Sequence, residues 1–273
     1  MKKLVLLVLL SASFIAARIN ADFSYNNDFP NNLIGTASRP ASAGKIEIES
    51  ADDFLLNSQV NVTSATFTGL IPANATINDV RVEIYRVFPK DSNTVRTPNV
   101  LTRTNSPSDV AFADRSSNDG NLSFSTSVLS ANFTALNSVL NGINPSPNQT
   151  TGGEGQVTGD EVRFTVDFLT PINLPIDHYF FIPQVELAGT DNFFWLSSER
   201  PIVSGTPFSP DLQSWIRNAN LDPDWSRIGA DVVGGTTFNG AFSLTGVPDS
   251  GSTALLLGSA LVAIICLKRR AKA

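Results

Sequence analysis

Val162-Arg163-Phe164-Thr165-Val166-Asp167-Phe168 alternates four apolar residues with three polar ones. A period of two puts Val162, Phe164, Val166 and Phe168 on one face of an extended chain and the polar residues on the other, the pattern of a half-buried strand. The same alternation recurs at Val80, Val82 and Ile84 against Arg81, Glu83 and Tyr85, and at Ile46 and Ile48 between Lys45, Glu47 and Glu49. Val60 and Val62, Leu122 and Phe124, Tyr179 to Leu187, Phe193 to Leu196, and Phe238, Phe242 and Leu244 add further segments. Short strands separated by Gly, Pro and Asn predict an all-β fold, an antiparallel β-sandwich of jelly-roll type.

One or two short helices are expected beside it. Leu129, Phe133, Leu136, Leu140 and Ile143 recur at helical spacing before Asn141-Gly142, and Ser209-Pro210-Asp211 resembles a helix start ahead of Leu212, Trp215 and Ile216. The stretch from Pro89 to Asn121 exceeds ordinary loop length and is expected to hide a strand or a functional excursion. No composition shift divides the body, so one domain is expected over residues 22–246.

The ends differ from this body. Residues 1–21 have a basic head (Lys2, Lys3), an uncharged run from Leu4 to Ala17 and a small residue, Ala21, before Asp22. These are the parts of a signal peptide, read as a helix removed on export by cleavage at Ala21. At the other end, residues 247–273 hold Val247-Pro248-Asp249-Ser250-Gly251, an apolar segment over 253–267 and a basic tail over 268–273. The apolar segment is expected to be a short transmembrane helix, and Lys268, Arg269, Arg270 and Lys272 to act as its stop-transfer signal. Cys266, the one cysteine, lies inside that segment and is read as a small apolar residue.

Motif, apolar helix and Arg-rich tail in this order resemble the PEP-CTERM sorting signals of exosortase-bearing Gram-negative bacteria, in the VPDSG-CTERM variant. All five motif positions match at Val247 to Gly251, where the common form has Pro-Glu-Pro. The resemblance implies an exosortase-type membrane protease as partner, transient anchoring in the inner membrane, and delivery to the cell surface or an exopolysaccharide-containing matrix. Segments at Tyr85 to Asp91, His178 to Val185 and Asp211 to Arg217 are also similar to stretches in exported bodies that carry this signal, which implies a shared β-rich domain and no activity.

Without residues 1–21 and 249–273 the body keeps 12 basic and 24 acidic residues, a net charge of −12 where the whole chain has −6. Such a surface repels phosphate backbones, so nucleic acid is not an expected partner. A single Cys and a single His exclude a disulfide framework and the usual zinc sites, and no cofactor is expected. Asp114, Asn118 and Asp119 form an oxygen-rich group that could take calcium, against the simpler reading as solvated turn residues. His178 is the sole near-neutral proton exchanger, yet no Gly-x-Ser-x-Gly elbow accompanies it, which favours a structural role.

Paired carboxylates drawn from Glu154, Glu161, Glu186 and Glu199 could support glycoside hydrolysis or a lyase reaction if the fold brought two together. Trp195, Trp215 and Trp225 could stack on sugar rings in a glycan-binding module, or fill the core as tryptophans more often do. The leading expectation is a non-enzymatic, exported structural protein, with the glycan-binding module and the carboxylate enzyme as its rivals.

Overall fold

The computed structural model describes residues 22–93, 104–143, 149–198, 212–235 and 237–248. The signal helix, Ala21, residues 249–273 with the transmembrane segment and basic tail, and Glu199 lie outside the described residues. Among the described ones, no helix is long and apolar enough to cross a membrane.

The described chain is built of strands: β1 (Phe23–Asn26), β2 (Pro30–Ala37), β3 (Ile48–Leu55), β4 (Val60–Ile71), β5 (Ile77–Arg86), β6 (Ala113–Ser116), β7 (Leu122–Ala135), β8 (Asn137–Val139), β9 (Val157–Leu174), β10 (His178–Leu187), β11 (Phe194–Ser198), β12 (Trp215–Asn218), β13 (Ser226–Arg227), β14 (Asn239–Gly240) and β15 (Phe242–Pro248). A single π-helical turn, Ile228–Val233, is the one helical element among them. The deciding stretch, Val162 to Phe168, sits inside β9, and the long segment after Pro89 conceals β6.

Two sheets form. In the first, β4 is central: β9 runs along one side with β7 outside it, while β15 and then β1, and β11 with β2 and β8, occupy the other. The second has the order β13-β12-β3-β10-β5-β6. Pairing is antiparallel except between β2 and β8, which run parallel, a departure from the all-antiparallel expectation.

Aromatic rings fill the space between the sheets. Phe181 of β10 stacks on Phe242 of β15 with ring centroids 4.8 Å apart, and Phe67 of β4 stacks on Phe164 of β9 at 4.9 Å. Val62, Val80, Val82, Ile84, Val162, Val166 and Leu244 pack around them. Burying each side chain of this size contributes about 1.5–3 kcal/mol, so the inner faces dominate the stability. A second apolar cluster, with Ile34, Ile48, Val139, Ile216, Ile228 and Val232, fills the space beside the π-helical turn.

Both expected helices are corrected. Residues 129–143 form the end of β7, β8 and a loop; Leu129 and Leu136 are 44% and 58% exposed while Ile143 is buried, so the helical spacing marks no common face. Ser, Thr and Asn are frequent there and have modest helix propensity, and β9 offers a ladder of backbone partners. In the other case the expected start, Ser209 to Asp211, lies outside the described residues, Leu212 to Ser214 are irregular, Gln213 has a φ of 69° that no right-handed helix accepts, and Trp215 begins β12.

Candidate functional site

The sorting motif begins inside the folded domain. Val247 and Pro248 are the last residues of β15, opposite Asn61 and Val60 of β4. Just before them the register shifts between Thr245 and Gly246, and a Cβ at Gly246 would come within 2.6 Å of the Asn61 carbonyl oxygen and 2.7 Å of Val60 Cγ1. Glycine is therefore what lets β15 close on β4 at the point where the motif starts. Phe23 of β1 lies opposite Gly246, so the body's first strand and the motif leave the sheet at one pole. Asp249, Ser250, Gly251, Lys268, Arg269, Arg270 and Lys272 follow outside the described residues.

The body's most concentrated polar chemistry is a cluster on the outer face of the second sheet. Alternation on β5 that turns Val80, Val82 and Ile84 inward turns Arg81, Glu83 and Tyr85 outward; β3 adds Glu49, β12 Arg217 and β10 Gln184. Arg217 binds Glu49 through two nitrogens, with Nη2 donating to Oε1 at 3.0 Å. Its Nη2 also donates to the Tyr85 hydroxyl at 2.8 Å, and that hydroxyl donates to Glu49 Oε1 at 2.8 Å. The guanidinium lies 4.4 Å from the ring centroid of Trp225, and Nη1 reaches Asp222 at 2.7 Å. Arg81 stands between Glu83 at 3.8 Å and Asp114 at 3.9 Å.

Burial, then the charge of Glu49 and a hydrogen bond shared with it, push the Glu83 carboxyl up to about 9. Glu83 therefore keeps a proton at neutral pH. Burial alone would lower the Arg217 pKa, but Glu49, Tyr85 and Asp222 outweigh it and raise the value. The Tyr85 hydroxyl is likewise raised, first by burial and then by Glu49 and Glu83. The result is a buried pair of acids in which Arg217 holds Glu49 and Arg81 stands beside Glu83. With side-chain exposures of 4% for Glu49 and 9% for Glu83, a sugar ring cannot reach the pair, so what it does is fasten β3, β5 and β12 together.

The tryptophans serve the same ends. Trp195, Trp215 and Trp225 are 2%, 1% and 2% exposed. Trp195 packs in the core between the sheets and donates its indole N–H to Ala241 O at 2.9 Å; Trp215 and Trp225 join Leu212, Phe180, Ile182 and Tyr85 in a small apolar layer over the outer face. Buried in this way, they leave no ring face open for stacking on a sugar.

The remaining candidates are held by local contacts. Glu154 accepts the N–H groups of Leu140, Asn141 and Gly142 and so ties down the loop after β8; Glu161 lies on β9 in the first sheet, its carboxyl raised chiefly by burial; Glu186 lies on β10 in the second and takes the Asn78 amide at 3.4 Å. At the turn after β6, Asp79 accepts Ser116, Ser117 and Asn118 donors, while Asp114 faces Arg81 and Asp119 is exposed. Among the described residues no group of three or more His, Cys, Asp or Glu side chains is placed to hold a metal ion. His178 Nε2 lies 2.5 Å from Asp53 Oδ2, and Asp53 also accepts the Leu212 N–H, which joins β10 to β3 and to the segment before β12. A cleft of about 200 Å³ at the far end of the first sheet is lined by Ile71, Pro72, Thr158, Asp191, Asn192 and Phe194.

The Glu49-Glu83-Arg217 cluster was not among the sequence candidates. Its signal was present as acids two apart on Glu47 and Glu49 and as Arg81-x-Glu83-x-Tyr85, but the partner arginine comes from a strand more than 130 residues later in the chain.

No curated protein and no solved structure matched the chain when it was compared with them. Residues 246–271, starting at the glycine that seats β15, match the family model described as the VPDSG-CTERM motif, and with it the chain carries a sorting signal of the PEP-CTERM type.

Proposed function

We propose that the protein is a non-enzymatic structural component of the cell surface or extracellular matrix, exported and then sorted by an exosortase-type membrane protease. The matched C-terminal motif is the observation that carries this reading. Before processing, the apolar segment 253–267 and its basic tail anchor the chain in the inner membrane; afterwards the β-rich body stands alone at the surface, beside an exopolysaccharide layer. Two features of the body fit such work. The charged and aromatic groups on the outer face of its second sheet fasten strands together, and with β1 and β15 meeting at one pole, tail removal just beyond Pro248 leaves the sheet pairing whole.

Intact-mass measurement on material recovered from the native cell surface tests the sorting part. The expected species begins near Asp22 and ends near the motif, and a full-length chain confined to the inner membrane overturns it. For the structural part, deletion of the protein is expected to weaken the surface layer mechanically without changing polysaccharide breakdown; a loss of breakdown products would point to an enzyme instead.

A further inference from the structure

Sheet edges in native proteins are guarded by charge, proline, bulges or shortness, because an open row of N–H and C=O groups templates pairing with another chain. β7 lies at the edge of the first sheet, and among the described residues its outer side pairs with no strand. It is 14 residues long and contains neither proline nor charge. The uncharged run extends from Gly120 to Gly153, 34 residues in a chain that is 16% charged, where the average would place about five charges.

The two halves of β7 differ. After Val128 the register against β9 shifts twice and Asn132 adopts a φ of 58°, so this half is guarded by bulges. From Leu122 to Val128 the register is regular, opposite Phe168 to Val162. Ser123, Ser125, Thr126, Ser127 and Val128 are all exposed there, Val128 to 61%.

This regular half is complementary to itself. Antiparallel pairing with a second copy about Ser125 sets Leu122 opposite Val128, Ser123 opposite Ser127 and Phe124 opposite Thr126 of the other copy. Residues opposite one another in an antiparallel pair share a face, so this register joins the apolar face to the apolar face and serine to serine, and it uses all seven residues. It also gives exposed Val128 an apolar neighbour. Charge selects the edge: a body of net charge −12 repels its own copies, and an approach along this uncharged strand meets the least repulsion.

We propose that two copies of this chain associate about a two-fold axis at Ser125, β7 pairing with β7 so that their first sheets become one continuous sheet. A single strand pair buries less than the ~1,200 Å² of a standard complex, so the association is weak and rises with concentration, as on a crowded surface. The proposal is independent of the sorting signal.

Cysteine cross-linking of the full-length chain in mild detergent, with Cys266→Ser removing the native thiol, tests the register. Residues opposite themselves at the axis lie about 4.5–5.5 Å apart between Cα atoms, within disulfide range. Ser125→Cys is therefore expected to form a disulfide dimer on mild oxidation. Ser123→Cys alone and Ser127→Cys alone are expected not to, since each lies about 13 Å from its own copy, whereas a mixture of the two cross-links. Sedimentation of cysteine-free chains adds a second readout: Ser125→Glu and Ser125→Lys each place like charges at the axis and are expected to raise the dissociation constant about tenfold or more. A monomeric parent chain, failure of Ser125→Cys to cross-link, equal cross-linking by Ser123→Cys alone, or unchanged association of both charged variants overturns the proposal.

Discussion

The inner and outer faces of the second sheet are made by the same strands and are both buried, yet by opposite means. Inward, Phe54, Val82, Ile84, Phe181 and Val185 meet the first sheet through apolar contact. Outward, Glu49, Glu83, Tyr85 and Arg217 are held by hydrogen bonds and charge, with the Trp225 ring packed on Arg217 and Tyr85, and Trp215 beside them on β12. The difference shows how a strand with ordinary apolar-polar alternation can be buried on both sides: its polar face needs partners of matching charge and a lid of aromatic rings. The first face tolerates any pH; the second does not.

Substitution of single residues separates the two mechanisms. Phe181→Ala inside and Trp225→Ala outside are each expected to cost about 3–5 kcal/mol in denaturant unfolding, from lost burial and the cavity left behind. Arg217→Met is expected to cost about as much, ~3–5 kcal/mol, because Glu49 then stays buried without its partner. Adding Glu49→Gln to Arg217→Met removes the buried carboxylate and is expected to recover much of the cost, whereas adding it to Phe181→Ala is not. An equal response of the two variants to Glu49→Gln would break the contrast.

Glu83 sharpens it further. Its carboxyl rises from 4.5 to about 9 in the folded protein. The unfolded chain therefore loses this proton from about pH 4.5 upward while the folded chain retains it, so the contribution is full below 4.5 and is lost as pH climbs to 9. In Glu83→Gln an amide can donate to Glu49 at every pH. The variant is expected to gain on the parent progressively across that window, most near pH 9, as read from melting temperatures along a pH series. A constant difference would place the proton elsewhere. The smallest effect belongs to His178→Ala at the rim of the outer face, expected at about 1 kcal/mol from the lost bond to Asp53.

Legibility in the sequence followed the range of the interaction. Val162 to Phe168 and Val80 to Ile84 announced their strands because alternation is a local consequence of the pleat, and Val162 to Asp167 against β4 and Val80 to Ile84 against β10 pair without a shift. Leu129 to Ile143 misled because five apolar residues can fall at helical intervals by chance, and only the backbone of β9 decided that β7 extends. Glu49 and Arg217 were silent for a related reason: 168 positions apart, their attraction exists only after β3 and β12 pair.

By itself, then, the sequence determined the strand-rich class, the excess of acidic charge and the sorting motif at the C-terminal end, because these depend on composition, on two-residue periodicity and on contiguous residues. Tertiary structure alone decided that the three tryptophans are buried, that the polar face of the second sheet closes over an ion pair, and that the uncharged strand β7 stands at an edge. Each of those is a relation between segments distant in the chain, and charge pairing, desolvation and edge exposure have no value until the sheets have formed.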